Sequence, residues 1–109
     1  MADTLKVLGQ SAPAATTLTD LYTVPAATSV ASSTITVCNR GGTATTFRIS
    51  VAIGGAADAT SQYLFYDNNL DANVSFAATI GTTLAATDKV RVYAGNGDLT
   101  FQLFGVEVT

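Results

Sequence analysis

The stretch Thr46-Phe47-Arg48-Ile49-Ser50-Val51-Ala52-Ile53 alternates apolar and polar residues at a period of two. That period belongs to a half-buried β-strand, whose successive side chains point to opposite faces. Phe47, Ile49, Val51 and Ile53 are expected inward, Arg48 and Ser50 outward. Just upstream stands a second alternating run, residues 30–39, with Ile35 and Val37 opposite Thr34 and Thr36. Between them lies Asn39-Arg40-Gly41-Gly42. Gly and Asn adopt positive φ at low cost, so this reads as a turn and the two runs as a hairpin.

The same pattern extends in both directions. Upstream, residues 4–10 place Leu5 and Val7 on one face and Lys6 on the other, and residues 18–24 form a further strand closed by Pro25. Downstream, a short aromatic strand at 62–66 ends in the polar turn Asp67-Asn68-Asn69. Residues 74–80 then place Val74, Phe76, Ala78 and Ile80 inward. Residues 89–94 place Val90, Val92 and Ala94 inward, and Gly95-Asn96-Gly97-Asp98 reads as an Asn-Gly hairpin turn into a final strand, 99–108. Residues 83–88 have room for one helical turn. About eight strands at roughly ten-residue spacing make an all-β, antiparallel β-sandwich, jelly-roll or Ig-like. Its expected core includes Phe47, Ile49, Val51, Phe76, Val90, Val92, Leu99 and Phe101.

A chain of 109 residues is one domain's worth of sequence. Within it, residues 1–17 form an N-terminal strand or arm with the small-residue linker Ser11-Ala12-Pro13-Ala14-Ala15-Thr16, and 18–109 form the sandwich. The arm has two readings. It is the first strand of its own sandwich, or it reaches a neighbouring subunit and adds a strand there, with Leu5, Val7 and Leu8 supplying side-chain contacts.

Hydrophobic residues make up 48% of the chain and charged ones 12%, with a net charge of −3. Disorder requires the reverse balance. Ala and Thr together fill about a third of the chain. Thr places a hydroxyl on the outer face of a strand without adding charge, so the surface is suited to lasting contact with neighbours. The five basic residues are scattered, which argues against nucleic-acid binding. No run is long and apolar enough to span a membrane, and residues 1–4 do not begin a secretion signal. The chain is expected to be made in a cytoplasm and to stay there or leave inside a larger particle.

Histidine is absent, which removes Ser-His and Cys-His nucleophile pairs. The lone Cys38 has no disulfide partner and reads as a small buried hydrophobe. Asp67-Asn68-Asn69-Leu70-Asp71 matches the opening of a calcium loop, but Ala72 and Ala78 stand where its glycine and bidentate glutamate belong. The Gly-rich stretches lack the strand-to-helix setting and the Lys-Ser/Thr of a phosphate loop. No enzyme activity, cofactor or metal is therefore expected. The aromatic cluster of Tyr63, Phe65 and Tyr66 reads first as core packing; the alternative is that Tyr63 and Tyr66 flank an exposed docking patch, since tyrosine combines an apolar body with a polar tip.

Leu21-Tyr22-Thr23-Val24-Pro25, Ile35-Thr36-Val37-Cys38-Asn39-Arg40 and Phe47-Arg48-Ile49-Ser50-Val51 together resemble a pattern in small bacteriophage virion proteins. There, a strand ending in a YTVP turn is followed by a strand ending in CN, a short turn and an alternating strand. Thr83-Leu84-Ala85-Ala86-Thr87-Asp88-Lys89-Val90-Arg91-Val92 resembles a corner of viral and receptor-binding β-sandwiches, with Thr87 where Gly usually precedes the Asp. The resemblance spans roughly residues 5–105. It implies a virion structural protein: a capsid decoration (cement) protein on the major capsid protein, or else a tail, neck or head-fibre piece or a host-surface adhesin. It transfers no functional residue. Lattice symmetry adds the expectation of a homotrimer, with a dimer second. A small carbohydrate- or ligand-binding module is the alternative from another class.

Overall fold

The computed structural model describes residues 2–109. They form nine strands: β1 (Asp3–Ser11), β2 (Thr19–Thr23), β3 (Ser29–Asn39), β4 (Thr45–Ala52), β5 (Tyr63–Leu70), β6 (Ser75–Ala78), β7 (Thr83–Leu84), β8 (Lys89–Ala94) and β9 (Leu99–Val108). Two antiparallel sheets pack face to face. Sheet A has the order β1-β9-β3-β6, with β7 also on β3, and sheet B has the order β2-β8-β4-β5. β9 occupies one side of β3 from Ser29 to Asn39, so β6 and β7 share the other side as one interrupted strand.

The pairings nest. β1 pairs with β9, β2 with β8, β3 with β6 and β7, and β4 with β5. The chain is one long hairpin with its tip at residues 53–62, rolled so that β3 meets β9 and β4 meets β8. With β6 and β7 counted together, this is the eight-stranded jelly roll. Of the two sandwich types expected, the topology selects that one.

Two expected hairpins are corrected by this topology. β3 lies in sheet A and β4 in sheet B, so residues 39–42 carry the chain across the sandwich. Residues 95–98 do the same between β8 and β9. None of these residues has positive φ, so the primed turns of a two-residue hairpin are excluded. The first crossing is organised by a side chain instead. Asn39 is buried and donates from its amide to the carbonyls of Thr43 (2.9 Å), Asp71 (3.2 Å) and Leu70 (3.3 Å), while its Oδ1 accepts from the Gly41 amide at 3.0 Å.

The core lies between the sheets. Phe47, Ile49, Val90, Val92, Leu99 and Phe101 are buried as expected, and Val51 and Phe76 are half-buried against them. The Phe47 ring packs against Phe76, Phe65 and Phe101 at centroid distances of 5.4, 6.1 and 6.5 Å. Three residues expected inward are exposed: Ile53, Val74 and Ile80. Ile53 has already left β4 for a 3-10 turn, Val74 precedes β6, and Ile80 lies in the break between β6 and β7. Ser50, expected outward, is fully buried. It stays on the outer face of β4, between Tyr63 of β5 and Arg91 of β8; Arg91 also binds the loop after β4 by donating to the carbonyls of Ala56 and Gly55 at 2.7 and 3.2 Å. Cys38 is also corrected. It is half-exposed, because Val37 and Asn39 take the inward positions of β3. Residues 83–84, in the stretch with room for at most one helical turn, form β7 instead.

β1 lies in the sheet of its own chain, paired with β9 along almost its full length. A bulge between Val7 and Gly9 adds Leu8, which turns into the core. Gly9 makes the bulge possible, since a Cβ there would stand 2.3 Å from the Leu21 carbonyl oxygen.

Candidate interaction surfaces

A polar cluster built around one guanidinium lies on the outer face of sheet B. Arg48 on β4 stands directly opposite Tyr93 on β8. On its other side β5 is bulged. Phe47 pairs with Asn68 and Ile49 with Phe65, so Tyr66 and Asp67 together face the single residue Arg48. Asp67 takes the left-handed conformation, φ 53°, that such a bulge needs. The extra residue brings an aromatic ring and a carboxylate to one guanidinium. Arg48 lies 4.2 Å from the centroid of Tyr66 and 4.3 Å from that of Tyr93. Its Nε and Nη2 donate to the two carboxylate oxygens of Asp67 at 2.6 and 3.2 Å.

Tyr63 extends the cluster. Its ring meets Tyr66 edge-on at 4.9 Å, and its hydroxyl donates to Asp58 at 2.8 Å. Burial and that hydrogen bond push the Tyr63 phenol up from its ordinary value. The hydrogen bonds from Arg48 hold the Asp67 carboxyl below its ordinary value. The guanidinium is thus fixed in position and charge-matched, and Tyr66 remains 55% exposed. Cation–π and bidentate contacts preset these side chains, so little rotamer freedom is left to lose on docking.

The second surface is apolar and lies on the outer face of sheet A. Leu5 pairs with Val106 and Val7 with Phe104. Leu5 is 82% exposed and Val7 45%. Phe104 and Val106 are half-buried, and Ala31 pairs with Val106 from the far side. Side chains directly opposite on one face touch, so these residues form a stripe across β1, β9 and β3.

The interface residues expected from sequence fall into three places. Tyr63 and Tyr66 share the sheet B cluster, Leu5 and Val7 share the sheet A stripe, and Leu8 is in the core. Arg48, Asp67 and Tyr93 were not among them. Arg48 and Tyr93 did read as outward, but Asp67-Asn68-Asn69 read as a turn after a strand ending at residue 66, and it lies within β5 instead. What could not be seen was the bulge that joins them. Asp67, considered as a calcium ligand, is bound to Arg48. No group of three or more Cys, Asp or Glu side chains comes together among the described residues, and no helix among them is long and apolar enough to cross a membrane.

A third arrangement ties the two sheets at one end. The hydroxyl of Tyr22 on β2 donates to the carboxylate of Glu107 on β9, and Lys6 on β1 approaches that carboxylate at 3.4 Å. The Tyr22 hydrogen bond, with the Lys6 charge, lowers the Glu107 carboxyl from its ordinary value, and burial with the same bond raises the Tyr22 phenol. Compared with protein-family models and with curated proteins, the chain matches none of them.

Proposed function

We propose that this jelly roll is a non-enzymatic virion structural protein, a capsid decoration (cement) protein that docks on the major-capsid lattice through the outer face of sheet B. The carrying observation is the preset cluster of Arg48, Tyr66, Tyr93 and Tyr63. Tyr and Arg are the residue types that dominate binding energy at protein interfaces, most of all when held rigid before contact. The virion assignment rests on the resemblance of the YTVP, CN and alternating-strand segments. A homotrimer belongs to the same reading, since a capsid lattice offers threefold and quasi-threefold positions.

Densitometry of purified particles tests the assignment. A decoration protein is present at hundreds of copies per particle, whereas a tail, neck or head-fibre piece is present at a handful. Arg48→Glu together with Tyr66→Ala should abolish rebinding to particles stripped of the protein while leaving the fold intact. Rebinding at undiminished affinity would refute the docking face.

One observation favours a second reading. The exposed Tyr66 ring stands beside the Asp67 carboxylate, a pairing that suits a saccharide stacked on the ring and hydrogen-bonded at its rim. Saturable glycan binding by the isolated protein, lost in Tyr66→Ala, would support that reading over the first.

A further inference from the structure

The two sheets end on four edges: β1 and the interrupted β6/β7 in sheet A, β2 and β5 in sheet B. Three are poor acceptors of another strand. β2 is five residues long with a bulge, β5 carries two bulges, and β6/β7 is broken at residues 79–82. Short, bulged and broken edges are how proteins block unwanted pairing. β1 is different, because Asp3 to Val7 run opposite Val108 to Phe104 without interruption.

The backbone parity of β1 identifies which groups are free. Ala2 and Thr109 exchange both of their hydrogen bonds, at 3.0 and 2.9 Å. In an antiparallel pair such exchanges recur at every second residue. Thr4 and Lys6 therefore face β9, and the amides and carbonyls of Asp3, Leu5 and Val7 face the open edge. No strand among the described residues pairs with them there.

We propose that this edge binds a second copy of the chain, β1 to β1 and antiparallel, about a two-fold axis at Leu5. In that register Leu5 faces Leu5 of the partner subunit, and Asp3 faces Val7 of the partner subunit. Every outward amide and carbonyl from Asp3 to Val7 then meets its complement. A two-fold contact must be self-complementary, and this one is. Its one central charge, Lys6, faces Thr4 of the partner subunit and is already engaged by Glu107. The choice of a second copy also rests on the stripe beside the edge. Leu5, Val7, Val106 and Phe104 of both copies become one continuous apolar band across a joined sheet. The pairing stands apart from the capsid assignment and from the sheet B docking face.

Sedimentation of the full chain at rising concentration tests it, with three variants. Leu5→Pro removes an amide that the β1–β9 ladder does not use, which an edge strand tolerates. Leu5→Lys places two ammonium groups at the axis. Leu5→Cys in a Cys38→Ser background sets two thiols on the axis, where the Cα separation of about 5.5 Å for a bonded pair suits a disulfide. The expected result is a two-chain mass for the unaltered protein and a single-chain mass for Leu5→Pro and Leu5→Lys. The melting temperature extrapolated to low concentration should be unchanged. Leu5→Cys should cross-link under air, whereas Gln10→Cys in the same background should not. Should Leu5→Pro unfold, Leu5→Lys decides, since that side chain is largely in solvent. A single-chain mass for the unaltered protein at millimolar concentration would overturn the proposal, as would association that survives Leu5→Lys.

Discussion

Asn39 and Leu70 are 31 residues apart and lie in different sheets, yet the Asn39 amide donates to the Leu70 carbonyl at 3.3 Å. That bond, with those to Thr43 and Asp71, fastens the β3–β4 crossing to the end of β5. Asn39→Ala leaves three carbonyls and the Gly41 amide without this partner in a buried place. The expected cost is about 2–3 kcal/mol, and roughly 10–20 °C in melting temperature. Asn39→Asp distinguishes lost bonding from lost volume. It turns an acceptor toward three carbonyls, so it should be worse than Asn39→Ala at neutral pH and recover in acid. Urea melts at the two pH values measure this, and equal losses for both variants would contradict the network.

Phe47 is fully buried, with the rings of Phe65, Phe76 and Phe101 packed around it. Phe47→Ala should cost about 3–5 kcal/mol. Small domains have only about 5–15 kcal/mol in all, so much of the variant should be unfolded when warm. A melting temperature matching the unaltered protein would reject Phe47 as a core residue.

The Tyr22–Glu107 bond makes one end of the sandwich acid-sensitive. The folded Glu107 carboxyl titrates below its ordinary value of 4.5. A depressed carboxyl contributes stability that is fully present above its unfolded value and lost as pH falls through the folded one. Stability should therefore decline below about pH 4.5. Asp20, lowered chiefly by its hydrogen bond from Lys89, adds to the same limb. Tyr22→Phe removes the main cause at Glu107, so its denaturation midpoint should fall less steeply with acid than that of the unaltered chain. Parallel pH profiles for the two proteins would count against the bond.

Ser50 makes the opposite kind of prediction. Its hydroxyl is buried and finds no hydrogen-bond partner among the described residues. An unpaired buried hydroxyl opposes folding, so Ser50→Ala should raise stability, by about 1 kcal/mol. Chemical denaturation can resolve a gain of that size. A clear loss would mean that the hydroxyl is bonded.

Alternation at period two was enough to locate eight of the nine strands and most of the core, because each strand buries one face. The sheet that a strand joins was not legible. Residues 39–42 and 95–98 have the composition of hairpin turns, and local composition does not distinguish a turn within a sheet from a crossing between sheets. Ser50 shows a second limit: its outward position was read correctly, but its burial depends on which residues of the neighbouring strands stand opposite it, here Tyr63 and Arg91. The Arg48 cluster shows a third. Its members are spread over β4, β5 and β8, and a single extra residue in β5 brings them together.

The nested order of the strands also constrains how the molecule comes into being. β9 stands between β1 and β3, so β1 has no neighbour in sheet A until residues 99–108 have been synthesised. During translation sheet B and the pairing of β3 with β6 and β7 can form first, while β1 and the other side of β3 must wait for β9. Pairing between such distant segments is slow, on the order of milliseconds to seconds. Abundant threonine then matters before assembly as well as after it, because its hydroxyls keep the waiting strands hydrated where little charge is present to hold them apart.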